Sequence, residues 1–292
     1  MKQVKEITYS HEHMTLDLSK VKNDKDCKLD VIDETIKELK ELKSKGVENI
    51  VDLTNRGMGR NVEYVKKIMN ETGINIISST GFYKEPFIPE EGYALNEKEL
   101  AELMIGEINQ GIEDTGVKAR VIGEIGTGKE AIQPVEKKIF QASSIAHRET
   151  GVPIVTHTTL GKLGCEQINI FKEFGVNLDK VVISHVDLSG DLDYILRIID
   201  KGTNVGFDTI GKINYQPEEV RINLLKELCK RGLSEKVVMS LDITRKSHLR
   251  YKGGIGYSYL LDCFIPNLEE AGIDESDIEN MIKNNPLRIF LE

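Results

Sequence analysis

The sequence predicts an α/β protein whose single domain closes into a (β/α)8 TIM barrel. Two observations carry that expectation. Apolar, β-rich segments of strand length recur eight times, at residues 7–10, 48–54, 75–80, 119–125, 153–157, 181–186, 203–208 and 237–243. Histidine, glutamate and aspartate then stand at the C-terminal ends of five of them: His11 with His13, Glu124, His157, His185 and Asp242. A barrel brings such ends together at one mouth, whereas an open sheet strings them along an edge.

The first segment, Ile7-Thr8-Tyr9-Ser10, runs into His11-Glu12-His13, and the two-residue side-chain period of a strand puts both imidazoles on one face. Val31, Ile32, Ile36, Leu39 and Leu42 follow at helical spacing, ahead of the segment at 48–54. Leu100, Leu103, Met104 and Ile108 make a second helical stripe before Ala119-Arg120-Val121-Ile122-Gly123, which ends on Glu124. Ile139, Ala142, Ile145 and Ala146 lead to Pro153-Ile154-Val155-Thr156 and His157, and Val181-Val182-Ile183-Ser184 ends on His185. Leu224, Leu225 and Leu228 precede Val237-Val238-Met239-Ser240-Leu241, which ends on Asp242. Strands that alternate with helices imply parallel pairing through crossovers.

The 292 residues accommodate two ordinary domains or one barrel of roughly 250 residues. No Pro-, Gly- or Ser-rich linker divides them, so residues 1–292 read as one domain. Longer stretches at 14–29, 81–96 and 244–257 follow strands and are expected to rim the mouth. The first, polar from Asp17 to Leu29, is expected either as a solvated loop or folded over the site.

A net charge of −9 argues against a general nucleic-acid surface and leaves room for a local basic pocket. No run approaches the ~18 apolar residues of a membrane span, and Met1-Lys2-Gln3-Val4-Lys5-Glu6 lacks the apolar stretch of a signal peptide. Cys27, Cys165, Cys229 and Cys263 lie far apart with no CxxC pair, which favours reduced thiols. The expectation is a cytoplasmic monomer or homodimer that meets a small-molecule substrate, neutral or anionic, with neither nucleic acid nor membrane as partner.

Ionisable side chains on buried strands are costly unless they are paired or hold a metal. Imidazole and carboxylate suit Zn²⁺ first, with Mn²⁺, Co²⁺ and Fe²⁺ as alternatives. Four histidines and two carboxylates exceed the needs of one tetrahedral ion and match two divalent ions sharing a bridge. His11, His13 and Asp242 are expected to hold one ion and His157 and His185 the other, with Glu124 giving one oxygen to each. Two cations lower the pKa of a shared water toward ~7. The resulting hydroxide is the expected nucleophile, and Asp242 the catalytic group that takes its proton and passes it to the leaving group.

Several local sequences run nearly end to end through the chain: Ser10-His11-Glu12-His13, Thr54-Asn55-Arg56-Gly57-Met58-Gly59-Arg60-Asn61, Gly123-Glu124-Ile125-Gly126-Thr127, Pro153-Ile154-Val155-Thr156-His157-Thr158, Phe207-Asp208-Thr209-Ile210-Gly211-Lys212, Ser240-Leu241-Asp242-Ile243-Thr244-Arg245 and Asn285-Pro286-Leu287-Arg288. With the order of the six candidate ligands, they resemble the amidohydrolase superfamily and, more narrowly, its phosphotriesterase-related family. The resemblance implies a (β/α)8 barrel with a two-metal hydrolytic site. Many members bridge their ions with a carbamylated lysine. Here the position is Glu124, so no carbamylated lysine and no bicarbonate-dependent activation are expected, and the shorter bridge implies ions set closer together or bound less evenly.

The segments after strands seven and eight carry Lys212, Arg245, Lys246, His248, Arg250 and Lys252. Lys212, Arg245 and His248 are expected to meet a phosphate or carboxylate of the substrate, with a solvated basic loop as the alternative. Lactonases of the broader group act on phosphorylated sugar lactones, and the resemblance therefore favours the first reading. Asp208 is expected to orient a ligand or brace the rim, and Tyr83 to donate to a substrate oxygen or form a pocket wall. Arg56 and Arg60 are expected in loop salt bridges. His147, near a helix C-terminus, is expected outside the site as a cation suited to the helix dipole. The leading function is hydrolysis of a lactone or carboxyl ester, with or without a phosphate group. Phosphoester hydrolysis is the alternative, although a neutral triester fits cationic loops poorly. A nuclease lacks its extended basic, aromatic-rich groove, and a zinc-binding protein without turnover remains the non-enzymatic alternative.

Overall fold

The computed structural model describes residues 6–292. Eight parallel strands pair in chain order: β1 (Ile7–Glu12), β2 (Val47–Asp52), β3 (Asn75–Thr80), β4 (Val121–Thr127), β5 (Ile154–Thr158), β6 (Val181–Ile183), β7 (Asn204–Phe207) and β8 (Val237–Met239). The seam between β8 and β1 is sealed by side chains and main chain together. Glu12 accepts from Ser240 Oγ at 2.7 Å and from the amides of Leu241 and Ile243 at 2.9 Å. Ser10 Oγ donates to Met239 O at 3.1 Å, and Asp242 N donates to His11 O at 3.3 Å. The result is the expected barrel. β6 and β8 are shorter than the expected segments because the backbone leaves the sheet just before His185 and Asp242, which adopt left-handed φ values of 60° and 53°.

Strand side chains divide between two cores, as period two requires. Val51, Leu53, Ile77, Val121, Val155, Val182 and Val238 form a small cluster that the C-terminal Ile289 and Phe290 plug. Ile50, Ile76, Ile122, Ile154, Ile183 and Val205 belong to the larger core shared with the helices. Most of each expected helical stripe is buried: Ile36, Leu39 and Leu42 on Ile32–Ser44; Leu100, Met104 and Ile108 on Glu97–Asn109; Ile139, Ala142 and Ala146 on Pro134–Thr150; Leu224, Leu225 and Leu228 on Glu218–Lys230. Val31, Ile32, Leu103 and Ile145 are half-buried against the same core. Local signals fix the helix ends. Asn96 and Glu99 form a capping box, and Pro134 opens a helix that Gly151 closes at φ 76°. No helix among the described residues is long and apolar enough to cross a membrane.

The stretch at 14–29 is not a solvated loop. Leu16–Asp17 and Lys28–Leu29 pair as an antiparallel ribbon, and Met14, Leu16, Leu18, Cys27 and Leu29 are buried. Polar residues between and just after them tie the ribbon to the segment after β8: Asp24 to Arg245 at 2.7 Å, Asp26 to Ser247 N at 2.8 Å and Asp30 to Lys246 at 2.6 Å. Arg56 and Arg60 make the expected salt bridges, Arg56 with Glu91 at 2.7 Å and both with Glu107. His147 departs from expectation. Its Nδ1 meets Val152 O at 2.7 Å while Nε2 accepts from Asn177 N at 3.2 Å. Burial pushes its pKa down, so it is a neutral imidazole and not a cation on the helix dipole.

Arg221 lies fully buried beneath the loops that follow β6 and β7. It donates to Asp187 at 2.7 Å, to Gln216 O at 2.5 Å and to Thr209 Oγ1 at 3.0 Å. Removing the guanidinium leaves the equally buried Asp187 carboxylate without its counter-charge. Arg221→Met is therefore expected to cost about 3–5 kcal/mol of stability, read as a lowered urea midpoint at unchanged m-value.

Candidate metal centre

Local irregularities aim the site residues. Ile7 and Tyr9 pack in the helix-side core, and strict alternation would send His11 after them. A register shift in the β1–β2 ladder between Tyr9 and Glu12 turns it into the mouth instead. The β4–β5 ladder shifts likewise between Ile122 and Ile125. Gly123 in that bulge has φ 151°, and a Cβ there would lie 2.4 Å from Val155 O, so only glycine lets Glu124 take its place. His185 and Asp242 hold left-handed backbone at a cost on the order of 1 kcal/mol each.

The six expected ligands come together around Glu124. Its Oε1 lies 3.5 Å from His13 Nε2. Its Oε2 lies 3.6 Å from His11 Nε2, 3.0 Å from His157 Nδ1 and 3.5 Å from His185 Nε2. Asp242 Oδ1 stands 3.2 Å from His13 Nε2 and 3.8 Å from His11 Nε2. Two donor groups thus share one carboxylate: His11, His13 and Glu124, and Glu124, His157 and His185.

The donor chemistry fits divalent ions. His11 Nε2, His13 Nε2 and Asp242 Oδ1 are buried with no hydrogen-bond partner, a costly arrangement unless a cation meets them. Burial would raise the Glu124 and Asp242 carboxyls, yet His157 and Lys212 respectively, each with His13, hold them below the ordinary carboxylate range. Burial alone would lower the His13 imidazole, but Asp242 and Glu124 outweigh it and lift it to about 10. The surroundings demand positive charge at this point, which a proton or a metal ion supplies.

A second layer sets the tautomers. Thr54 Oγ1 donates to Thr15 O at 2.7 Å and so accepts from His13 Nδ1 at 2.9 Å, which turns Nε2 toward the cluster. Asp208 Oδ2 meets His11 Nδ1 at 3.1 Å, and its Oδ1 meets His185 Nδ1 at 2.7 Å and His185 N at 2.8 Å. One carboxylate therefore orients a histidine from each donor group. Asp208 is fully buried behind the rings and does not line the cleft. The expectation that it serves the substrate is corrected on that ground, since both its oxygens are spent on imidazoles.

Above the cluster opens a cleft of ≈ 230 Å³. Tyr83, Lys212, Arg245 and His248 line it as expected. Tyr83 OH lies 3.3 Å from His157 Nδ1, and the buried Lys212 ammonium is bonded to Asp242 Oδ2. His248 is not a cation: burial, with Lys212 beside it, pushes its pKa down to about 4. Lys246 and Arg250 turn away to Asp30 and to Glu41 with Asp262. Lys22 and Lys84 also face the cleft. Sequence reasoning passed over both, although they sit in two of the stretches expected to rim the mouth.

The model of the "Phosphotriesterase family" matches residues 4–290. The chain belongs to the phosphotriesterase family. It is 46% identical over 283 residues to the phosphotriesterase homology protein of Escherichia coli, covering 97% of each chain. The crystal structure of that protein, complexed with phosphate in its active site, superposes with a TM-score of 0.96 at 45% identity, covering 98% of this chain and 99% of that one. A lactonase from Listeria monocytogenes superposes with a TM-score of 0.93 at 30% identity, covering 99% of this chain and 95% of that one. The N-acetyltaurine hydrolase of Dictyostelium discoideum is 32% identical over 281 residues, 92% of this chain and 76% of its own. This phosphotriesterase-family member is a hydrolase, and its His, Glu and Asp clusters offer the donors of a metal site. Asp208→Asn is expected to weaken metal retention about 10–100-fold for both donor groups at once, measured by competition with a chelator on protein whose circular dichroism is unchanged.

Proposed function

We propose that this hydrolase opens a lactone or other carboxyl ester bearing an anionic group, a phosphate in the first instance. One observation carries the reading: Lys212 and Arg245 line the same cleft as the His, Glu and Asp cluster. The phosphate bound in the Escherichia coli relative and the lactonase activity named for the Listeria relative support it. His11, His13 and Asp242 would hold one ion and His157 and His185 the other, with Glu124 between them; Zn²⁺ suits the donor set first. When bound, the two ions supply a water activated for attack at neutral pH and a Lewis acid for the scissile carbonyl.

The surrounding residues have separable tasks. Asp242 Oδ1 has no hydrogen-bond partner, whereas Lys212 engages Oδ2. The second oxygen fixes the carboxylate and turns the first toward the cluster, where Asp242 would hold an ion and take the proton of the attacking water. Burial raises the Tyr83 phenol well above its ordinary value, so it stays a hydrogen-bond donor beside His157. Arg245 gives Nη1 to Asp24, and the rest of its planar fork is available to an oxyanion. Leu18, Met58, Phe87, Leu160 and Leu188 line the walls and exclude water from the carbon skeleton. Hydrolysis of an acyl amide is a second reading, supported by the relative named N-acetyltaurine hydrolase.

The test is metal content and turnover on one preparation. The expected result is about two divalent ions per chain and highest kcat/KM on phosphorylated lactones, against neutral lactones, an aryl ester, N-acetyltaurine and phosphate mono-, di- and triesters. Turnover of phosphate esters alone, or binding of less than one ion after reconstitution, would overturn the proposal. Asp242→Asn is expected to lower kcat about 10²–10⁴-fold in protein that keeps its fold. Arg245→Ala is expected to raise KM for the phosphorylated lactone about 10–100-fold and to leave the neutral lactone nearly unaffected; equal losses on both would count against an anion site.

A further inference from the structure

The cleft has a second cationic wall that the reaction above does not use. β3 and β7 stand opposite each other in a ring of eight strands. Lys212 follows β7, and Lys84 follows β3. The position of Lys84 is built: a Cβ at Gly126 would lie 3.1 Å from Lys84 Cβ and 3.0 Å from His157 Cβ, so the glycine leaves room for the lysine beside the histidine. The Lys84 ammonium sits 5.7 Å from the Tyr83 ring centre and 5.6 Å from that of Phe87, and the exposed Lys22 ammonium 5.9 Å from Phe87.

The two lysines differ from the cations across the cleft in one respect. Lys212 is paired with Asp242 and Arg245 with Asp24. Neither Lys22 nor Lys84 has a carboxylate within salt-bridge distance among the described residues; Lys84 Nζ donates only to Glu85 O, at 3.1 Å. Burial pushes the Lys84 pKa down against the pull of the Glu136 and Glu124 carboxylates farther off, and the charge of Lys22 adds to the lowering. Two like charges flank one aromatic ring without a carboxylate in direct contact, an arrangement that an incoming anion relieves.

We propose that Lys84, with Lys22, binds a second oxyanion of carboxylate size, so that the substrate is anionic at both ends. This deepens the proposed hydrolysis of an anionic ester and rests on it. Substrates with a single charge would fill the Lys212 and Arg245 side and leave the β3 wall unpaired.

Calorimetry on the Zn²⁺-reconstituted protein tests the idea without turnover. The probes are ω-phosphonoalkanoates of three to six carbons, each against the alkylphosphonate of equal length. At one length the added carboxylate is expected to tighten binding about tenfold or more. Lys84→Met should reduce that preference to about twofold and Lys84→Arg should restore most of it, whereas Arg245→Ala should weaken both probes and keep their ratio. A wild-type protein without preference at any length overturns the proposal, as does a preference that survives the Lys22→Met, Lys84→Met double substitution. Because both probes carry the phosphonate, failure to hydrolyse any lactone would refute the reaction and still leave this ratio readable.

Discussion

Glu12 occupies the point where closing the barrel and assembling the site become one problem. Its neighbours in the chain, His11 and His13, face the cluster, while its own carboxylate takes Ser240 Oγ and the amides of Leu241 and Ile243 from the end of β8. Those amides flank Asp242. The seam thus sets two histidines from the first strand and an aspartate from the last at 3.2 and 3.8 Å from each other. Each of these bonds to a buried carboxylate is stronger than a neutral one, and an unmade one would leave a buried donor orphaned. The register of His11, His13 and Asp242 follows from this seam.

Asp208 does for orientation what Glu12 does for closure. It engages the two histidines through opposite oxygens, so the rings from both donor groups turn together. The surrounding field is uneven. Lys22 and Lys84, neither in a salt bridge among the described residues, face the cleft, while Asp24, Asp26 and Asp30 hold the segment after β8 at the rim.

The helical stripes and strand segments were legible in the sequence because hydrophobic period reports burial directly. The six candidate ligands were legible because ionisable residues at the ends of apolar strands have few other uses. Lys22 and Lys84 were not, since a lysine in a polar stretch reads the same whether it faces solvent or a cleft. His147 was misread for a related reason: its neutral state depends on Val152 O and Asn177 N, the second lying far along the chain. The ribbon at 14–29 hides its apolar residues among charges, and only their docking shows that they are buried.

By itself the sequence determined the alternation of strands and helices, the barrel and the types of donor at its mouth, because those follow from local periodicity and residue chemistry. The tertiary structure decided which way each side chain points. A bulge before Glu12, another around Gly123 and left-handed backbone at His185 and Asp242 break the alternation that sequence reasoning assumes. It also decided that Asp208 stands behind the cluster and Lys84 in front of it. Residues tens or hundreds of positions apart meet only when the ring of strands closes, and no pattern along the chain records those distances.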